Sequence, residues 1–188
     1  MIVDRIRLRG LLLALVSSFA LAAPSGALAG VPEEPAGQTA AKAEALLDAI
    51  GRHRSAAWHW QRVMGKRPQR TNYAERSVEN VAQLTFLRDL WRERATRART
   101  RAKRPPHRAA WQCIHRYEGR WTDPHAPYYG GLQMSLQFQQ AFGRYLLRKK
   151  GTANRWTPEE QMWAAEGALR AGLGFHPWPN TARRCGLL

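Results

Sequence analysis

The sequence has little cysteine, little lysine and few acids. Its six histidines (His53, His59, His107, His115, His125, His176) are scattered, and no His/Cys spacing matches a zinc site. No Gly-x-Ser-x-Gly elbow and no phosphate-cradling Gly-rich loop occurs, so neither a nucleophile-elbow hydrolase nor a nucleotide cradle is indicated. No metal and no cofactor is expected. Internal repeats are missing, and low complexity is confined to one arginine run. The apolar run Leu11–Ala23 would reach only ~20 Å as a helix, against the ~30 Å of a hydrocarbon core. Acids number 14 against 30 Lys and Arg, for a net charge of +16. Only Lys42, Lys66, Lys103, Lys149 and Lys150 are lysines, so the charge is mainly arginine. Arginine stays ionised and forks onto carboxylates and phosphates.

What is present begins with a leader pattern. Arg5, Arg7 and Arg9 precede the short apolar run, and Ala27-Leu28-Ala29 precedes Gly30. A basic head, an apolar core and an Ala-x-Ala site describe a secretory signal peptide over 1–29, with a retained membrane anchor as the alternative. Cleavage leaves +14 and no stable membrane span. In an exported chain the polyanions at hand are wall phosphates, wall-peptide carboxylates and anionic lipid, so nucleic acid is not expected. An even cysteine pair in an oxidising compartment reads as one disulfide, Cys113–Cys185; the alternative is two buried thiols.

Three regions follow: the leader at 1–29, a helical N-terminal region at 30–106, and a domain at 107–188. Helices are predicted over Gln38–Ile50 (ended by Gly51), over the stretch "SAAWHWQRVMG", and over Ala74–Lys103, whose Val78, Val81, Leu84, Leu87 and Trp91 form one stripe. "RATRARTRAKRPP" closes the third helix at Pro105-Pro106, a natural boundary. Beyond it the pattern predicts a helix over Arg108–Glu118, turns or a small hairpin over 119–134, and a helix over Leu136–Lys150 capped by Gly151. "TPEEQMWAAEGALRAGLG" is the clearest helix. It has Thr157 as N-cap, Pro158 first, Glu160 as capping-box partner, and Gly172 or Gly174 as its stop.

One residue stands out. Trp111, Ile114, His115 and Glu118 fall at i, i+3, i+4 and i+7, so Glu118 continues an apolar face. Gly119 ends the helix there, which sets the carboxylate at the negative end of the helix dipole. Partial burial and that dipole both favour the protonated acid, and a protonated acid is what general-acid catalysis needs. Trp121, Tyr128 and Tyr129 offer flat faces suited to sugar rings, and Gln133 offers a neutral donor and acceptor. Asp123 is the one nearby second carboxylate, and Asp-Pro there reads equally as turn chemistry. Glu166, mid-helix near Met162 and Leu169, reads as structural. Trp58, Trp60 and Trp91 read as core.

"YEGRW…YYGGLQMS" resembles the resuscitation-promoting factor and transglycosylase-like branch of the lysozyme superfamily. The resemblance rests on Cys113, Glu118, Gly119 and Trp121, on Tyr128-Tyr129-Gly130-Gly131-Leu132-Gln133, and on Trp178-Pro179 with Cys185. A helix carrying a Glu at the place of Glu166 adds to it. It covers about 111–188, under half of the chain. Two departures stand: Cys113 is five residues before Glu118 where the family usually has it adjacent, and Glu-Gly-Arg replaces Glu-Ser-Gly-Gly.

The fold this implies is mainly α, with a small lysozyme-like C-terminal domain. The activity it implies is cleavage of the β-1,4 bond between N-acetylmuramic acid and N-acetylglucosamine in peptidoglycan, by a hydrolase or lytic transglycosylase at the cell wall. One glutamate, Glu118, would act as acid and then base, with Trp121, Tyr128, Tyr129 and Gln133 holding the glycan strand. The rival reading is a non-catalytic wall- or polyanion-binding protein working through its arginines.

Overall fold

The computed structural model describes residues 36–72, 75 and 80–188. The leader assigned to 1–29 lies outside them. Seven α-helices and one two-stranded antiparallel sheet are found among the described residues, which all belong to one compact unit. In chain order these are α1 (Ala36–Val63), α2 (Val81–Ala102), α3 (Arg108–Glu118), β1 (Tyr128–Tyr129), β2 (Met134–Ser135), α4 (Leu136–Phe142), α5 (Arg144–Lys150), a 3₁₀ turn (Ala153–Arg155), α6 (Pro158–Arg170) and α7 (Pro179–Arg184). No described helix is long and apolar enough to cross a membrane.

The first two predicted helices are one. α1 runs through Gly51 because a helical glycine costs only about 1 kcal/mol relative to alanine. Leu46, Ile50 and Ala57, on both sides of it, are buried together with Leu84, Leu87 and Trp91 of α2. Packing along α2 outweighs the local penalty. The helix stops where expected, just before Gly65, whose φ of +71° suits glycine. α2 begins later than the predicted Ala74. Asn80 has extended backbone (φ −132°, ψ 158°), and its side chain accepts from Gln83 N at 2.9 Å, a side-chain N-cap. Residues 73, 74 and 76–79, the rest of the predicted first turns, lie outside the described residues.

α3 keeps the predicted limits, and the hairpin ends at Ser135, one residue beyond the predicted 119–134, with Tyr128 opposite Ser135 and Tyr129 opposite Met134. The predicted helix Leu136–Lys150 is instead two, α4 and α5, broken at Gly143. The Trp156 ring lies against that glycine so closely that a Cβ there would sit 2.3 Å from its Cη2. A close approach needed for packing has displaced helical continuity. α6 carries the capping box in full, with Thr157 Oγ1 accepting from Glu160 N and Glu160 Oε2 accepting from Thr157 N at 2.8 Å.

The main core gathers Trp111, Ile114, Leu132, Met134, Leu146, Trp156, Met162, Ala165 and Trp178. Val63 and Met64 at the end of α1, and Ala98 and Ala102 at the end of α2, join it. The α1–α2 pair is therefore fused to the C-terminal helices through its basic end. Trp163 Nε1 donates to Ala102 O at 2.7 Å and holds the same junction. Cys113 of α3 is bonded to Cys185 directly after α7, across 72 residues.

Glu160 ties three helices by charge. It is fully buried, and both its oxygens are 2.7 Å from Lys150 Nζ of α5, with His59 Nε2 of α1 3.0 Å from Oε1. Burial by itself would raise the pKa of this acid. The hydrogen bonds from His59, Lys150 and Thr157 N overcome burial and lower it from 4.5 to about 2.

A depressed acid contributes stability that is present above its unfolded-state value and lost as pH falls through the folded one. Acid titration of the melting temperature should therefore show a loss between pH 4.5 and about 2. Glu160→Gln should remove that component and lower stability near pH 7 by about 2 kcal/mol. An unchanged acid profile in this variant would count against the clamp. Closing a loop of this length is worth roughly 4 kcal/mol on the chain-entropy account. Reduction should thus lower the melting temperature by many degrees, and thiol labelling of the unreduced protein should find neither cysteine.

Candidate active site

Helix α3 brings the key carboxylate into place. Its inner face is set by Trp111 and Ile114, both fully buried, with His115 and Glu118 half-buried along the same stripe. At its end, Glu118 Oε1 accepts from Thr181 Oγ1 at 2.7 Å. Thr181 lies 63 residues later, in α7, and the adjacent disulfide keeps α7 beside α3.

Of the other predicted residues, Trp121 and Gln133 lie at this helix end, and the two tyrosines lie in β1. The Trp121 ring stacks on His115, with centroids 3.9 Å apart and planes 22° from parallel. His115 Nδ1 is 3.2 Å from Gly131 O; a carbonyl only accepts, so Nδ1 carries the proton. A Cβ on Gly131 would come within 2.6 Å of His115 and 2.7 Å of Trp121. The absence of a side chain at 131 is thus what admits the stacked pair.

Gln133 adopts φ 48°, a left-handed conformation uncommon for a residue with a side chain. Its Nε2 donates to Asp123 Oδ2 at 2.8 Å and to Gly130 O at 3.0 Å. A Cβ on Gly119 would meet Gln133 Nε2 at 2.9 Å and Asp123 Oδ2 at 3.4 Å. Gln133 and Asp123 therefore sit against the backbone of the residue that follows Glu118. The two tyrosines separate. Tyr128 is exposed, whereas Tyr129 is half-buried and packs on the main core. Only Tyr128 keeps an open ring.

Asp123 is committed to the protein. Hydrogen bonds from the His125 ring, from His125 N and from Gln133 hold its carboxyl below the usual range, against a small opposing effect of burial. It is an anion and an acceptor near neutral pH, suited to orienting Gln133 rather than to donating a proton.

Beside the helix end is a shallow hollow of about 450 Å³, lined by His115, Arg116, Gly119, Arg120 and Trp121. It offers an aromatic surface, two guanidinium groups and access from Gly119. A hollow of about 510 Å³ on α2, lined by Phe86, Asp89, Leu90, Arg92, Glu93 and Thr96, includes none of the predicted site residues. The hollow beside Gly119 is the one that adjoins the helix end carrying Glu118. No cluster of three His, Cys, Asp or Glu side chains suited to a metal occurs among the described residues.

Sequence reasoning missed two residues here. Thr181 carries no local signal beyond its closeness to Cys185. Gln161 is fully buried; its Oε1 accepts from Gly131 N at 2.8 Å, and its Nε2 donates to Trp121 O at 2.8 Å and Ala153 O at 2.9 Å. Its signal was available: an amide on the buried side of an apolar helix demands partners. Glu166 has the structural role expected of it. Its Oε1 accepts from His107 N at 2.8 Å and Trp111 Nε1 at 2.9 Å. Trp91 is fully buried in the α1–α2 core, and Trp58 donates to Gln69 O at 2.7 Å.

Compared with protein-family profiles, curated proteins and solved structures, the chain finds no match.

Proposed function

We propose that this protein is an exported enzyme with a lysozyme-like C-terminal part, cleaving the β-1,4 bond between N-acetylmuramic acid and N-acetylglucosamine of peptidoglycan. The observation that carries the reading is the half-buried Glu118 carboxylate at the end of α3. It is held by Thr181, and Gln133 and the Trp121-lined hollow both adjoin the next residue, Gly119. Substrate class and bond come from the resemblance over 111–188; support for Glu118 as the acid comes from its half-buried place at the end of α3 against Thr181.

In this mechanism Glu118 protonates the glycosidic oxygen as the bond to the anomeric carbon breaks. The N-acetyl group of the substrate stabilises the resulting cation. Glu118, now the carboxylate, then takes a proton, either from an attacking water or from the sugar's own 6-hydroxyl. The first outcome is hydrolysis and the second gives a 1,6-anhydro end. Thr181 fixes one carboxylate oxygen by its hydroxyl. Asp123 orients the Gln133 amide, leaving Gln133 Oε1 to accept from a sugar hydroxyl or amide. Trp121 and the exposed Tyr128 supply apolar faces for the rings.

Glu118→Gln keeps the shape and an oxygen for Thr181 while removing the transferable proton. Activity on purified peptidoglycan should fall by at least ~10²–10⁴-fold, the usual worth of general acid–base assistance. The melting temperature and glycan binding should stay close to wild type. Asp123→Asn should lose less, since it disturbs Gln133 and not the proton donor. Product masses from the wild type would distinguish hydrolysis from anhydro formation. Full activity in Glu118→Gln would reject the enzyme reading and favour a non-catalytic, polyanion-binding wall protein.

A further inference from the structure

A second feature lies away from Glu118, where α1 ends and α2 runs past it. Gln61 at the end of α1 and Met64, Lys66 and Gln69 in the loop after it line a groove of about 380 Å³ with Leu90, Arg94, Arg97, Ala98 and Arg101 of α2. Four of these nine side chains are cationic. Met64 and Ala98 are buried members of the main core, so the floor is part of the packed interior.

The groove is built rather than incidental. Its loop wall is pinned to α1 by two hydrogen bonds, Trp58 Nε1 to Gln69 O at 2.7 Å and Gln69 N to Gln61 Oε1 at 2.8 Å. Arg94, Arg97 and Arg101 fall at i, i+3 and i+7, one stripe of α2 rising over ~10 Å. Glu75 takes Arg94 at 2.9 Å and Glu93 takes Arg97 at 3.1 Å. Arg94 is further held 4.7 Å above the Trp91 ring. Lys66 and Arg101 form no ion pair among the described residues, so they are the surplus charge.

We propose that this groove binds a linear phosphodiester polymer that carries no nucleobases. The carboxylates already present each meet one nitrogen of a single arginine. The two cations left over come from different walls. A tetrahedral phosphate presents its oxygens in divergent directions and can reach both, with the Gln61 amide nitrogen as a further donor. Among the described residues no aromatic ring lines the groove, so those walls give bases no stacking platform. Successive phosphates would follow the arginine stripe, which a chain-like anion can do and an isolated ion cannot. The site needs nothing from Glu118 and stands whether or not the protein cleaves glycan.

The test measures binding of fluorescent polyglycerol phosphate to the mature chain over a range of salt. Affinity should fall steeply with salt, as expected when cations replace condensed counterions. Lys66→Gln combined with Arg101→Gln should weaken binding about tenfold and reduce the salt slope by about 1 to 2. Arg52→Gln with Arg183→Gln removes the same charge from exposed positions outside the groove and should cost less than about twofold on the screening account. Glu118→Gln should bind as the wild type does. Equal losses from both double variants would overturn the groove in favour of net charge alone, and so would failure to bind the polymer at low salt. Equal affinity for polyglutamate of matched charge would overturn the phosphodiester assignment. Tighter binding of a single-stranded oligonucleotide would overturn its restriction to base-free chains.

Discussion

The candidate site depends on the buried amide of Gln161. From the first turn of α6 it reaches backbone groups of three separate segments: Gly131 N, Trp121 O and Ala153 O. Without it the buried Gly131 N–H would lose its acceptor, at about 1–3 kcal/mol. The loop bearing Trp121, the Gly-Gly turn before Gln133 and the 3₁₀ turn are thereby held in one place. The glycines follow from the same constraint, because a Cβ at Gly130 would lie 2.5 Å from Gln161 Oε1. Two side chains missing from the turn are what allow one amide to reach it.

A second constraint acts from the other side. α7 has only six residues, too few for a helix to persist by its own backbone bonds. It is held by the Cys113–Cys185 bond, by the burial of Trp178, and by the 2.6 Å bond from Trp178 Nε1 to Leu132 O. Those contacts place Thr181 against Glu118. Glu118 is therefore positioned by its own helix, and its partner by a covalent bond and a buried indole. Glu160 extends the same framework into α1, through His59 and Lys150.

The arginines divide by what surrounds them. Some are consumed within the structure, Arg94 by Glu75 and Arg88 by Asp89. Others use ring faces, as Arg184 does 4.2 Å from the centroid of Tyr117. With 14 acids against 30 bases, internal pairing cannot neutralise the chain. The remaining positive charge faces water, where an anionic polymer can exchange for counterions.

Local chemistry determined much of this protein by itself. The limits of α3, the capping box of α6, the hairpin among the glycines and prolines of 119–134, and the face that carries Glu118 all rest on residues within one turn or strand of each other. Such interactions are written in short-range spacing, so the sequence shows them. Tertiary structure decided the rest. Gly51 stayed helical because α2 packs along α1, and Gly143 broke a helix because Trp156 needed its space. Tyr128 and Tyr129 are alike in composition, but neighbours distant in sequence left one ring open and turned the other to the core. Thr181 and Gln161 became site residues only when segments far apart in the chain met. No local spacing encodes such a meeting, because packing of the whole unit sets it.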